Sequence, residues 1–239
     1  MRHILFPTDL TNEAHPALAW VRLFANEVKA SVTVLHVFRP MLADNTLPTM
    51  GSRGAGLDAN EDLISTSRQS LEAFVGRLAA EGLVVTGEWR TGNVEDEILE
   101  AARERNIDLI ITESGEVSTF FDRLAGSAAT DVAKDAVCPV LYVPATNGLT
   151  APPVLRSALY VMQQDSTQAE AARQTGELTA ALKNLSLHYA TLDQLDKHPV
   201  DLIIIMDYKR GGLFSGDPVQ KVLSKAKVPV LVYHQPAQS

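Results

Sequence analysis

A single cysteine, Cys138, stands among the 239 residues. A lone thiol excludes an internal disulfide framework, and without a Cys pair or a His-x3-His spacing among the six dispersed histidines a zinc site has no ligands to use. Positive charge is also short: 21 Lys and Arg face 29 Asp and Glu, a formal net charge of −8. Such a chain has no electrostatic hold on nucleic acid or on an anionic membrane surface. No apolar run approaches the ~20 residues that span a bilayer, and the opening MRHILFPTDL is too short in apolar residues to act as a secretory leader. The expected address is the cytoplasm. There is no G-x-S-x-G elbow, and no histidine near Ser127 that could activate it, so nucleophilic catalysis lacks its parts.

What is present is a repeated pattern. Residues 107–143, IDLIITESGEVSTFFDRLAGSAATDVAKDAVCPVLYV, hold two apolar runs joined through a polar loop and a helical segment. That is a βαβ crossover with parallel strands, and the loop entering its helix is a natural anion site, where free N–H groups and the helix dipole converge. The pattern returns in residues 200–233, VDLIIIMDYKRGGLFSGDPVQKVLSKAKVPVLVY. Asp108 matches Asp201, Gly126 matches Gly216, Pro139 matches Pro229, and thirteen positions separate Gly from Pro in both copies. A period above 90 residues means duplicated domains rather than a solenoid.

Strand and helix patterns alternate elsewhere too. Arg2–Phe6, Ser31–Phe38 and Leu83–Trp89 read as strands, and 12–29, 63–80 and 94–105 as helices. Residues 40–62, rich in Pro, Gly and Asn, read as a long loop. In the second half, 158–162 and 185–190 read as strands, 167–182 as one helix and 192–197 as a brief helix. The expected fold is α/β: two Rossmann-like domains, with a parallel five-stranded sheet in the first and a smaller, truncated sheet in the second. The boundaries fall at 1–146 for the first domain, 147–156 for a linker and 157–239 for the second.

With ILFPTDLT after the first apolar run, VTVLHV in the second, GNVEDEILEAA before the third helix, and Gly126-Ser127 followed by CPVLYV, the first half resembles the universal stress protein family. The resemblance implies the adenine nucleotide alpha hydrolase-like version of the Rossmann fold, with strand order 3-2-1-4-5. It also implies pairing of domains through their last strands, here Val140–Val143 against Val230–Tyr233 within one chain. Some family members bind ATP. By analogy Pro7, Thr8, Asp9 and Val37 would contact adenine and ribose, while Ser114, Gly115, Gly126 and Ser127 would lie under the phosphates, with Mg2+ present where phosphates bind. The family's two loop glycines fall on Glu113 and Glu116, and each carboxylate near a triphosphate costs on the order of 1 kcal/mol. The site is therefore expected to be weakened.

In the second domain Asp217 replaces Ser127, followed by Pro218. A carboxylate at that helix start would satisfy the free N–H groups itself and exclude a phosphate. Three readings stay open: a stress-response protein regulated by an adenine nucleotide, a nucleotide-free module docking an unknown protein partner through the acidic loop and Phe120-Phe121, and, last, a nucleotide hydrolase. Association into a homodimer also stays open. Among single residues, Asp9 is read either as a helix cap or as a ribose ligand. His36 is read as a packed histidine, Cys138 as a core thiol, and Glu95, Asp96, Glu97 and Glu100 as a solvated helix face.

Overall fold

The computed structural model describes residues 1–10, 16–39, 55–114, 132, 136–144, 153–163, 166–182, 184–208 and 218–234. The strands are β1 (His3–Pro7), β2 (Ser31–Phe38), β3 (Val85–Thr91), β4 (Leu109–Ser114), β5 (Val140–Pro144), β6 (Ser157–Met162), β7 (Ser186–Thr191), β8 (Leu202–Asp207) and β9 (Val230–His234). The described helices are α1 (Pro16–Val28), α2 (Ala55–Ala80), α3 (Val94–Glu104), α4 (Gln168–Gln174), α5 (Gly176–Ala181) and α6 (Pro218–Lys225), with a 3-10 turn at Leu192–Lys197. None of these helices is long and apolar enough to cross a membrane.

The nine described strands form one sheet in the order β3-β2-β1-β4-β5-β9-β8-β6-β7. Every neighbouring pair is parallel except β5 with β9, which run antiparallel with Val140 opposite Val232, Leu141 opposite Leu231 and Tyr142 opposite Val230. The strands are apolar runs because both faces of a parallel sheet are covered. Alternate side chains feed two cores, and each core runs through both halves. On one face Ile4, Val34, Ile111 and Leu141 join Leu231, Ile204 and Tyr160. On the other, Leu5, Leu35, Ile110 and Tyr142 join Val230, Ile203 and Leu159.

One corner occurs twice. The Asp108 carboxylate accepts from the amides of Arg2 and His3 at 2.6 and 3.0 Å. The Asp201 carboxylate accepts from the amides of Arg156 and Ser157, both at 2.9 Å, and from the Ser157 hydroxyl at 3.0 Å. Around each corner the backbone bonds repeat: Asp108 N to His3 O and Ser31 N to Arg2 O in one, Asp201 N to Ser157 O and Ser186 N to Arg156 O in the other. In both halves the aspartate just before a later strand, β4 or β8, ties down the start of that half's first strand, β1 or β6.

Two elements differ from expectation. Helix α2 begins at Ala55, inside the stretch 40–62 read as loop. Ala55, Leu57 and Ala59 are good helix formers, and Asp58 closes the first turn, where the dipole favours acid, which offsets the Gly and Asn content. The single helix expected over 167–182 is two, broken at Thr175. There Gly176 follows a buried threonine whose hydroxyl donates back to Ala171 O at 2.8 Å, a contact that bends helices.

Candidate functional site

In an open α/β sheet the ligand crevice lies outside the carboxyl ends of the strands, where the chain leaves the sheet in opposite directions on either side of one strand. Here that strand is β1, flanked by β2 and β4. Pro7 ends β1 opposite Leu35, and Thr8 and Asp9 follow at the crevice. Thr8 is 1% exposed, and each of its groups is in use. Its amide donates to Leu35 O at 2.9 Å, its carbonyl is met by His36 Nδ1 at 3.0 Å, and its hydroxyl accepts from the Leu10 amide at 3.2 Å. The last bond steadies Leu10 at φ 63°, a left-handed turn that a non-glycine residue rarely adopts. Thr8 therefore shapes the loop and leaves Asp9, which is half-buried, at its tip.

Val37 sits on β2, buried, in register with Arg90 of β3. Because Leu35 O accepts from Thr8, Leu35 faces β1, and so does Val37 two residues on. The Val37 amide and carbonyl thus face the side that β1 has just left. A planar, hydrogen-bonding base could meet a backbone edge of this kind. His36, 8% exposed, is a packed histidine. Burial holds it below its ordinary pKa against the opposing pull of the Thr8 carbonyl and Asp9.

Across the crevice β4 ends with Glu113 opposite Val143 and Ser114 opposite Pro144. The structure brings Pro7, Thr8, Asp9, Val37 and the backbone of Ser114 to the carboxyl end of the sheet. Gly115, Glu116, Phe120, Phe121, Gly126 and Ser127 lie outside the described residues, as do Asp217, the helix start 11–15 and most of the linker.

In the C-terminal half the strand in the place of β1 is β6, flanked by β8 and β7. Its carboxyl end is stitched to that of β8. Gln163 Nε2 donates to Met206 O at 2.5 Å, the Gln163 amide donates to Ser166 Oγ at 3.1 Å, and Ser166 Oγ meets the Tyr208 hydroxyl at 3.0 Å. Beneath them Tyr160 donates to Gln174 at 2.6 Å, and burial, reinforced by Tyr208, pushes the Tyr160 phenol well above its ordinary pKa. Sequence reasoning missed this stitch. Gln163, Ser166 and Tyr208 carry no periodic signal, and only their placement on neighbouring strand ends joins them.

Two further clusters are structural. Arg90 of β3 donates to Glu88 at 2.6 Å and to Glu97 at 3.4 Å, and also pairs with Glu104, while Arg105 meets Glu88 at 3.0 Å. Glu97 therefore ties α3 to the sheet rather than simply facing solvent. The turn before α3 uses Gly92 at φ 154°, a backbone conformation that residues with a side chain rarely adopt. Cys138 is 6% exposed, and burial pushes its thiol up to about 12, which makes it an inert core group. A groove of about 830 Å³ between α1 and the C-terminal half, lined by Leu23, Glu27, Leu155, Arg156 and Leu182, opens at the amino ends of the strands, away from Asp9.

The profile of the Universal stress protein family matches residues 1–144. The chain belongs to the universal stress protein family. Membership puts it among stress-response proteins. Among solved structures, a universal stress protein from Archaeoglobus fulgidus DSM 4304 is 16% identical with a TM-score of 0.63, covering 99% of this chain and 97% of its own. A functionally unknown protein from Pseudomonas aeruginosa PAO1 is 14% identical with a TM-score of 0.63, covering 99% of this chain and 93% of its own. These likenesses are of fold, and they extend through the C-terminal half. No curated protein matches the chain.

Proposed function

We propose that this universal stress protein is a tandem member and a cytoplasmic stress-response regulator. In this reading residues 1–146 form a complete domain, 147–156 a linker and 157–239 a truncated second domain, paired through Val140–Val143 and Val230–Tyr233. The duplicated Asp108 and Asp201 corners support the division, since chance does not reproduce a carboxylate, two amides and the surrounding backbone bonds. The first domain binds ATP or another adenine nucleotide, with adenine and ribose at Pro7, Thr8, Asp9 and Val37. The phosphates would lie over Ser114, Gly115, Gly126 and Ser127, where Glu113 and Glu116 would hold Mg2+ and the metal would supply positive charge against the phosphates.

The observation that carries the reading is the Thr8–Leu10 turn, which presents Asp9 at the carboxyl end of β1 beside the backbone edge of Val37. A carboxylate there can accept from ribose hydroxyls. Nucleotide occupancy acts as a signal, not as a substrate for turnover, and the closed C-terminal crevice takes none. The test is to extract small molecules from freshly isolated protein and identify them. An adenine nucleotide should come from the unaltered chain and be depleted in Asp9→Ala. Recovery of equal amounts from both would remove Asp9 from the site.

A further inference from the structure

Among the described residues, the buried polar side chains are those of Thr8, Thr33, His36, Thr112 and Thr175. Four of them are satisfied. Thr8 accepts from the Leu10 amide, Thr33 meets His3 Nε2 at 2.8 Å, His36 meets the Thr8 carbonyl, and Thr175 donates to Ala171 O. Thr112 is the exception. It is 4% exposed, and its Oγ1 has no hydrogen-bond partner among the described residues. A buried hydroxyl without a partner costs stability rather than adding to it.

The fold does not require a hydroxyl at this place. In the C-terminal half β8 stands where β4 does, and Asp201 answers Asp108. Four positions on from each aspartate come Thr112 and Ile205, and Ile205 is fully buried. What sets Thr112 apart is its neighbour. Ile4 lies opposite Leu109 and Leu5 opposite Ile110, and the same register carried on sets Pro7 beside Thr112. Pro7 is the last residue of β1, so Thr112 stands level with the rim where the chain leaves the sheet. Leu5, Leu35, Val37 and Ile110 feed one core, and Thr112, two residues after Ile110, points to that same face. Its hydroxyl is therefore at the floor of the crevice, on the side of the sheet that carries Val37.

We infer that the Thr112 hydroxyl is a specificity-determining group for the nucleotide, donating to a ring nitrogen of its purine base. The inference rests on the function proposed above. A base set against the backbone edge of Val37 turns another edge toward β4, and the ring nitrogens on that edge are acceptors. Pro7, between the two strands, has no N–H to offer them. Thr112 supplies the donor that Pro7 lacks. A hydroxyl that gains its partner only when the ligand arrives adds to affinity and not to folding, which separates it from a threonine kept for packing.

The experiment compares the full chain with Thr112→Val, which keeps the shape of the side chain and removes the hydroxyl. In a denaturant titration the variant should unfold at a midpoint no lower than that of the unaltered chain. In calorimetry it should bind ATP about ten-fold more weakly, the worth of one hydrogen bond. Either 3-deaza-ATP or 7-deaza-ATP, each lacking one ring nitrogen, should bind the unaltered chain about ten-fold more weakly than ATP does. The same analogue should bind Thr112→Val as well as ATP does. Equal ATP affinity in the two chains overturns the inference and leaves the proposed function standing. So does a clear fall in the variant's midpoint, which would give the hydroxyl a structural partner, or a deaza penalty that is absent from both chains or equal in both. An unaltered chain that binds no ATP removes the proposed function and this inference together.

Discussion

Removing the carboxylate at Asp201 tests whether the duplicated corner holds the C-terminal half in place. One oxygen, Oδ2, accepts three hydrogen bonds at 2.9, 2.9 and 3.0 Å. Hydrogen bonds to a charged group are worth about 1.5–3 kcal/mol each, but this corner is partly solvated and water can replace part of what is lost. We expect Asp201→Ala to cost about 2 kcal/mol in a denaturant titration at neutral pH, and Asp201→Asn, which keeps a neutral acceptor, about half of that. The pH dependence has a definite sign. Burial alone would raise the carboxyl pKa, yet the Arg156 and Ser157 amides and the Ser157 hydroxyl outweigh it, so the folded value lies below the ordinary 3.8. The contribution is therefore present above that value and is lost as pH falls through the folded pKa. The gap between the unaltered chain and Asp201→Asn should close on acidification through that range. A loss under about 0.5 kcal/mol at neutral pH, or a gap that stays constant to the acid limit of folding, would mean that the Asp201 carboxylate does not hold this corner.

Other outcomes follow from the same structure. Arg90→Ala leaves Glu88, with 11% of its side chain exposed, paired among the described residues only with Arg105, and should cost about 2–3 kcal/mol by denaturant titration. Arg90→Lys should recover only part of this, since an ammonium cannot span Glu88, Glu97 and Glu104 as the guanidinium does. Cys138, its thiol pushed to about 12 against an ordinary 9.0, should react with a thiol reagent about a thousand-fold more slowly in the folded chain than in the unfolded one. Measured without magnesium, Glu113→Gln removes one charge from beside the proposed phosphates and should tighten ATP binding about five-fold, read by calorimetry.

The strands were legible because a strand buried on both faces is an apolar run, and Ile110, Val140, Ile203 and Val230 say so without help from context. The kinship of Asp108 and Asp201 was legible from spacing, but not their task, which depends on the starts of β1 and β6 lying beside the strands that follow these aspartates. Helix α2 was read too short because Gly and Asn in 51–60 carry a loop signal that the formers Ala55 and Leu57 outweigh only once the helix continues. Thr175 looked like one more residue of a continuous helix, because its back-bond to Ala171 leaves no trace in periodicity. At the candidate site, Pro7, Thr8 and Asp9 stood out as a break after an apolar strand. The division of labour between Thr8 and Asp9 did not, since it rests on a hydroxyl bond and a left-handed turn. Least legible was the link between the carboxyl ends of β6 and β8 made by Gln163, Ser166 and Tyr208, three polar residues spread over more than forty positions.

On the proposed function each chain holds one nucleotide, beside Asp9, and the C-terminal crevice refuses it. Calorimetric titration of the full chain with ATP, with and without magnesium, tests this most directly. Binding should show a stoichiometry of one, weaken on magnesium removal and vanish in Asp9→Ala, with no change in Gln163→Ala beyond its effect on stability. Two sites per chain, or no heat at millimolar ATP, would contradict it.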